Sequence, residues 1–272
     1  MPTKERCFVA LLDVLGFSSL VAGDRDGERL DRYLGCLGVA LDTTGTRPTV
    51  EYVVFSDSIV LTTPDDSEDS LLAIITKCSR VLGTMLDNEI PLRGAIAHGF
   101  CFRSASRGGT FVAGRAILDA YKFEIAQDWV GIMLTPSTVQ KVPDLRERCA
   151  LHSPMGTAED DQAQCKKLTW AAFVQPCRNI PFHTDRPLED YGYDGFAIVP
   201  TNGDSRIGEL ARDIEVKIEK LVWLKSLAPD PRAQSKYQKC LEWLNIVNGH
   251  VAPVAYWHKR LIEEGKLVPD SA

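Results

Sequence analysis

Glu51-Tyr52-Val53-Val54-Phe55-Ser56-Asp57-Ser58-Ile59-Val60-Leu61-Thr62-Thr63 consists of two β-branched runs separated only by Ser56-Asp57. The pattern predicts a hairpin over 51–55 and 58–63, with Asp57 at or beside its turn. Upstream, Phe8-Val9-Ala10-Leu11-Leu12-Asp13 ends an apolar strand over 7–13, and 27–42 places Leu30, Tyr33, Leu34, Leu37 and Leu41 at helical spacing. Downstream, Pro64-Asp65-Asp66-Ser67-Glu68-Asp69 closes the hairpin and caps a helix near 69–87. Its apolar stripe is Leu71, Leu72, Ile75, Cys78, Val81, Leu82 and Met85. The alternation from Pro91 to Gly99 adds a fourth strand. The resulting order, β-α-β-β-α-β, is the ferredoxin-like split unit of the α+β class. Its antiparallel sheet carries helices on one face and leaves the other for a ligand or partner.

A Gly/Ser loop at 103–109 is expected next, then a helix near 113–126, a strand at 129–134 and a short helix from Pro136. The core domain is drawn as 1–141, and 142–272 as a polar insertion with a C-terminal α/β subdomain packed on it. Residues 142–165 are polar and aperiodic, and their acidic cluster Glu159-Asp160-Asp161 is read as a solvated loop. Strands are expected at 168–174 and 194–199, and a helix over 206–226 with Ile207, Leu210, Ala211, Ile214, Ile218, Leu221 and Val222 in one stripe. After Pro229-Asp230-Pro231, Tyr237, Leu241 and Leu244 begin a similar pattern, so the extension is mainly helical.

At 272 residues with 44% apolar side chains the chain can bury a sizeable core. A net charge of −6 argues against a surface spread over a polynucleotide, although it leaves room for a local basic pocket. No window approaches the ~18 apolar residues of a membrane span. No nucleic-acid or membrane partner is expected, and the location expected is the cytoplasm. Eight scattered cysteines, none spaced Cys-x-x-Cys, fit reduced, buried thiols there.

Two strand ends each deliver an aspartate, Asp13 and Asp57. A carboxylate at the end of a buried strand is rigidly held, and two from adjacent strands suit a pair of divalent cations beside a nucleotide. Taken singly, Asp13 also suits a helix N-cap and Asp57 an ordinary hairpin turn. If a helix starts after Leu15-Gly16-Phe17-Ser18, its unpaired amides point at phosphates, and Gly16 permits close backbone approach. Arg93 opens a strand facing the presumed site, where it suits either a phosphate or an edge salt bridge. His98 is read as structural.

The series Asp13-Val14-Leu15-Gly16-Phe17, a hairpin bearing Asp57, Arg93-Gly94-Ala95-Ile96, and Gly114-Arg115-Ala116-Ile117 through Glu124 resembles the class III nucleotidyl cyclase domain over about residues 8–140. That resemblance implies two metal ions, Mn²⁺ or Mg²⁺, held by Asp13 and Asp57 with the Val14 carbonyl as a further ligand. It also implies attack of the nucleotide 3′-hydroxyl on its own α-phosphate with loss of pyrophosphate, and a homodimer whose active sites lie between protomers. Asp13 and Asp57 then come from one protomer and the 114–124 helix from the other. Over that helix Ala120 and Glu124 match the family pattern; Leu118 replaces its ribose-contacting asparagine and Lys122 its transition-state arginine. Lysine keeps the positive charge but lacks the bidentate fork. Lys122, with Arg115, is therefore the candidate group that stabilises departing pyrophosphate. Arg115, Asp119 and Lys122 also share one helical face, which equally suits a solvated ion-paired stripe.

Purine cyclases of this class read the base with a polar pair; here Val53 and Phe111 occupy those positions by ungapped counting. Tyr52 is the alternative candidate, a ring to stack and a hydroxyl to donate, if the hairpin shifts by one residue; ordinary sheet packing is its other role. With Tyr193 to Pro200, Ala228-Pro229 and Lys236-Tyr237, these departures resemble the pyrimidine cyclases of bacterial Pycsar anti-phage systems over nearly the whole chain. That likeness implies conversion of UTP to cyclic UMP, as a signal to a separate effector. Cytidylate or purine cyclisation is the enzymatic alternative, and a catalytically inactive nucleotide-binding dimeric sensor is the alternative of another class.

Overall fold

The computed structural model describes residues 3–42, 48–106, 109–150, 170–177, 195–202 and 207–265. The expected core order is present: β1 (Thr3–Val14), α1 (Phe17–Ala22), α2 (Glu28–Leu41), β2 (Glu51–Phe55), β3 (Ser58–Thr62), α3 (Glu68–Asp87) and β4 (Leu92–Ser106). These strands lie in the order β2-β3-β1-β4 with every neighbour antiparallel, the arrangement of a ferredoxin-like sheet.

Alternation along β1 builds two different surfaces. Phe8, Ala10, Leu12 and Val14 join Ile59, Leu61 and Ile96 under α2 and α3 in the main core. Cys7 and Val9 face the other way, against Cys101 and Ala116. That second face is covered by α4 (Arg115–Ala126), whose buried residues Ala116, Ala120, Phe123 and Glu124 follow helical periodicity. Helix α3 starts on the Ser67 cap, whose hydroxyl accepts from the Ser70 amide at 3.2 Å.

Two differences from the sequence reading concern boundaries. The segment 103–106 continues β4 instead of turning into loop, and pairs with β5 (Gly109–Gly114), forming an arm that leads directly into α4. Residues 170–173 are helical, so of the expected 168–174 strand only Val174 is extended, where β7 (Val174–Pro176) begins, and 168–169 lie outside the described residues. Glycine and small polar residues in the arm hide its strand character, because they carry the chemistry of a loop.

Helix α4 returns the chain to β6 (Gly131–Leu134), parallel to β4, and β8 (Phe196–Ile198) and β7 continue the same sheet. The short helices α5 (Pro136–Val139) and α6 (Leu145–Arg148) follow β6. Of the expected polar insertion at 142–165, residues 151–165 lie outside the described residues, including the Glu159-Asp160-Asp161 cluster and Cys165. The cysteines that are described are free thiols, six of them buried.

Two long helices follow, α7 (Ile207–Leu227) and α8 (Pro231–Glu263). Within α7, Leu210, Ile214 and Leu221 of the expected stripe are buried, whereas Val222 is exposed. The α7 helix is docked by Lys217, whose buried amine reaches Asp87 at 2.6 Å and Asp213 at 3.2 Å. Helix α8 is docked by Trp243, which donates to the Pro176 carbonyl at 3.1 Å and packs edge-on against Trp129. The segment after β8 lies on α3, where the Ser79 hydroxyl contacts the Val199 carbonyl at 2.5 Å and the Thr201 hydroxyl at 2.8 Å. A Cβ on Gly83 of α3 would fall on the Thr201 backbone. Gly83→Ala is therefore expected to cost about 1–3 kcal/mol by forcing that segment off the helix. Urea unfolding measures it, and an unchanged midpoint would contradict this packing.

Candidate active site

Asp13 and Asp57 meet because the sheet register leaves no alternative. Asp13 stands opposite Ser58 of β3 on one side and Arg93 of β4 on the other. The next amide, of Val14, donates to the Asp57 carbonyl at 3.0 Å, binding the end of β1 to the β2–β3 turn. Ser56, one residue earlier, takes a left-handed conformation with φ 58°. Its carbonyl accepts from the buried Tyr33 hydroxyl at 3.1 Å, and Tyr33 packs edge-on against Phe17. Tyr33 thus positions the Asp57 turn, a role that its place in the apolar stripe of α2 concealed.

Gly16 has φ 79°, a conformation that favours glycine, and its carbonyl accepts from the Ser19 and Leu20 amides as α1 begins. The candidate phosphate-facing turn is therefore built as a tight helix entry, with Phe17 tied to Tyr33.

Arg93 is the hub. Its Nε donates to Glu124 Oε1 at 2.6 Å, its Nη1 to the Gln127 carbonyl at 2.9 Å, and its Nη2 lies 3.6 Å from Asp13 Oδ2. Gln127, fully buried, donates to the Gly94 and Phe123 carbonyls and accepts from the Trp129 indole. Of the two roles open to Arg93, the ion pair is present, and it is internal rather than at an edge. Glu124 was visible in sequence only as a pattern match; its partner could not be inferred without the fold.

Burial raises the pKa of Asp13; the Arg93 charge opposes this, the Asp57 charge adds to it, and Lys236 opposes it. Glu124 is likewise raised by burial, against Arg93. The site gathers more carboxylate than it neutralises, and among the described residues no three His, Cys, Asp or Glu side chains form a metal cluster. Two carboxylates with a main-chain carbonyl form a hard oxygen donor set that fits a divalent cation completed by phosphate and water.

The structure does not gather every predicted residue here. The hairpin register is regular, pairing Tyr52 with Leu61 and Val53 with Val60. Directly opposed residues share a face, so Tyr52 stands on the Leu61 side, where the Lys77 amine lies 5.5 Å from its ring centre. The shift that would turn Tyr52 toward Asp13 is absent, and Val53 takes the Asp13 side. Arg115 and Lys122 are exposed on the face of α4 away from the sheet, Arg115 bonding Asp119 at 2.8 Å. Leu118 and Tyr121 are exposed on the same helix. His98 is paired with Asp66 at 3.1 Å.

No protein-family model matches the chain, and no curated protein matches it in sequence. Among solved structures, it is similar to the adenylyl cyclase CyaB from P. aeruginosa, at 14% identity over 76% of this chain and 97% of that one, with a TM-score of 0.47. It is also similar to the catalytic core of a rhodopsin-guanylyl cyclase with converted specificity in complex with ATPαS, at 14% identity over 73% and 98%, with a TM-score of 0.47. A third is the guanylate cyclase domain of RhGC from Catenaria anguillulae in complex with GTP, at 13% over 72% and 97%, TM-score 0.43. Among the described residues, no helix is long and apolar enough to cross a membrane.

The raised pKa of Asp13 fixes the sign of a pH effect. The folded chain holds this proton more tightly than the unfolded chain, so the contribution is fully stabilising below the ordinary carboxylate range and is lost as pH rises through the raised value. Asp13→Asn, neutral at every pH, should melt higher than the parent near neutral pH in chelated buffer. The difference should vanish well below the carboxylate range; a gain that does not depend on pH would contradict it.

Proposed function

We propose that this chain is a metal-dependent nucleotidyl cyclase acting on a pyrimidine nucleoside triphosphate, with UTP the preferred substrate and 3′,5′-cyclic UMP the product. The observation that carries this reading is the Asp13–Asp57 juxtaposition at the end of a central strand, closed by the Val14 amide to Asp57 carbonyl bond. In the reaction a bond forms from the ribose 3′-oxygen to the α-phosphorus, the bond from that phosphorus to the bridging oxygen breaks, and pyrophosphate leaves while the hydroxyl proton passes to water. Such a transfer asks for charge neutralisation and in-line positioning rather than a protein nucleophile. Two bound divalent cations, Mn²⁺ or Mg²⁺, would supply Lewis acidity at Asp13, Asp57 and the Val14 carbonyl.

The chain's own residues orient the rest. Arg93 holds Asp13 against the sheet and keeps Glu124 compensated, and the Gly16-Phe17 turn lies directly beyond β1. Lys122 and Arg115 point outward on α4, so in this reading they serve the site of a second copy. The exposure of Leu118 at 56% and Tyr121 at 51% on the same helix supports cover by that copy. Val53, on the Asp13 side of the hairpin, has no polar atom with which to read a purine edge, which supports the smaller base. The resemblance to anti-phage pyrimidine cyclases adds a signalling role, in which a separate effector senses the cyclic product.

Incubation with ATP, GTP, CTP and UTP plus Mn²⁺, followed by chromatography, should yield cyclic UMP first, and no product with chelator. Asp57→Ala should lower turnover at least about a hundredfold while leaving the dimer folded. A purine product would correct the base assignment. Release of cyclic product from none of the four would favour a nucleotide-binding sensor, and full turnover by Asp57→Ala would remove the metal assignment.

A further inference from the structure

Helix α8 brings a basic face to the Asp13 site from the far end of the sequence. Lys239 clamps it there, its amine 2.7 Å from Asp128 Oδ2 and 3.2 Å from the Asp128 carbonyl. Asp128 directly follows Gln127, whose carbonyl is held by Arg93. One and two turns before Lys239, on the same side of the helix at i, i+4, i+7 spacing, stand Lys236 and Arg232.

Lys236 is half-buried, and among the described residues no carboxylate comes within salt-bridge distance of it. Asp128, one of the two acids whose charge it feels, is already engaged by Lys239. The charges of Arg93 and Arg232 repel Lys236, while those of Asp128 and Asp13 attract it. Burial and the Arg93 charge accordingly push its pKa down. A long amine half withdrawn from water, beside another cation and without an acid of its own, is costly unless an anion joins it.

We infer that Lys236 is a polyphosphate-binding residue of this site, supplied by α8 of the same chain that supplies Asp13 and Asp57, with Arg232 adding long-range attraction. Arg93 is bound to Glu124 and the Gln127 carbonyl, so its forks are committed to the protein. Lys236 supplies the positive charge for the terminal phosphates of a triphosphate whose inner phosphate faces the aspartates. The inference deepens the cyclase reading and rests on it for the sugar and base, but not for the anion. It also gives α8 a role that its apolar stripe does not express.

The test uses the full chain and inorganic tripolyphosphate with Mg²⁺, which has neither sugar nor base, in calorimetric titration. Lys236→Ala should weaken binding by about tenfold, and Lys236→Arg should stay within about threefold of the parent. Both variants should keep the parent's melting temperature or exceed it, because the substitution to alanine relieves repulsion with Arg93. In turnover, Lys236→Ala should raise KM for the triphosphate more than it lowers kcat. Unchanged tripolyphosphate affinity and unchanged KM in Lys236→Ala would overturn the inference even if cyclic product is formed. If no triphosphate is cyclised but Lys236→Ala still loses tripolyphosphate, the anion site stands and the cyclase reading falls.

Discussion

Everything at this site hangs on the Arg93 guanidinium. It touches three structural units at once: Asp13 at the end of β1, Glu124 on α4 and the carbonyl of Gln127 leading to β6. Glu124 is only 4% exposed, and an ionised carboxylate so placed would be strongly destabilising without its partner. The charge that keeps Glu124 compensated therefore also fixes how α4 lies on the sheet, and through α4 the direction in which Lys122 and Arg115 project. One buried interaction sets the geometry on both sides of the helix.

Two-sidedness of the sheet divides the labour. The side of Phe8, Leu12, Ile59 and Leu61 is sealed by α2 and α3 and is core. The side of Val9, Asp13, Val53 and Arg93 carries α4 over part of it, and there small residues let the helix approach: Ala116 lies over Gly99. A one-residue parity difference decides which side chains meet a ligand. That is why Val53 belongs to the candidate site and Tyr52, beside Lys77, belongs to the helical layer.

Periodicity made the core legible in sequence. The β-branched hairpin, the α3 stripe and the cap at Ser67 each specify one local structure, and together they allow few topologies. Asp13 and Asp57 were legible for the same reason, since each sits at a strand end that the pattern defines. What was hidden depended on tertiary neighbours. The Tyr33 hydroxyl supports the Asp57 turn from within an ordinary apolar helix face. The bond from Arg93 to Glu124 spans 31 residues, and the one from Lys239 to Asp128 spans 111. No spacing rule reports such contacts. The β4–β5 arm was missed because its residues carry loop chemistry while its backbone is paired.

In the proposed enzyme a complete site combines Asp57 of one copy with Lys122 of another. Subunit mixing tests it directly: Asp57→Ala and Lys122→Ala, each inactive or nearly so alone, are unfolded gently together, refolded and assayed for cyclic product. Random pairing of two such chains leaves one intact site in each mixed dimer, so activity should recover to about a quarter of the parent's. No recovery, with mixed dimers demonstrated by co-purification of differently tagged chains, would contradict a site shared between copies.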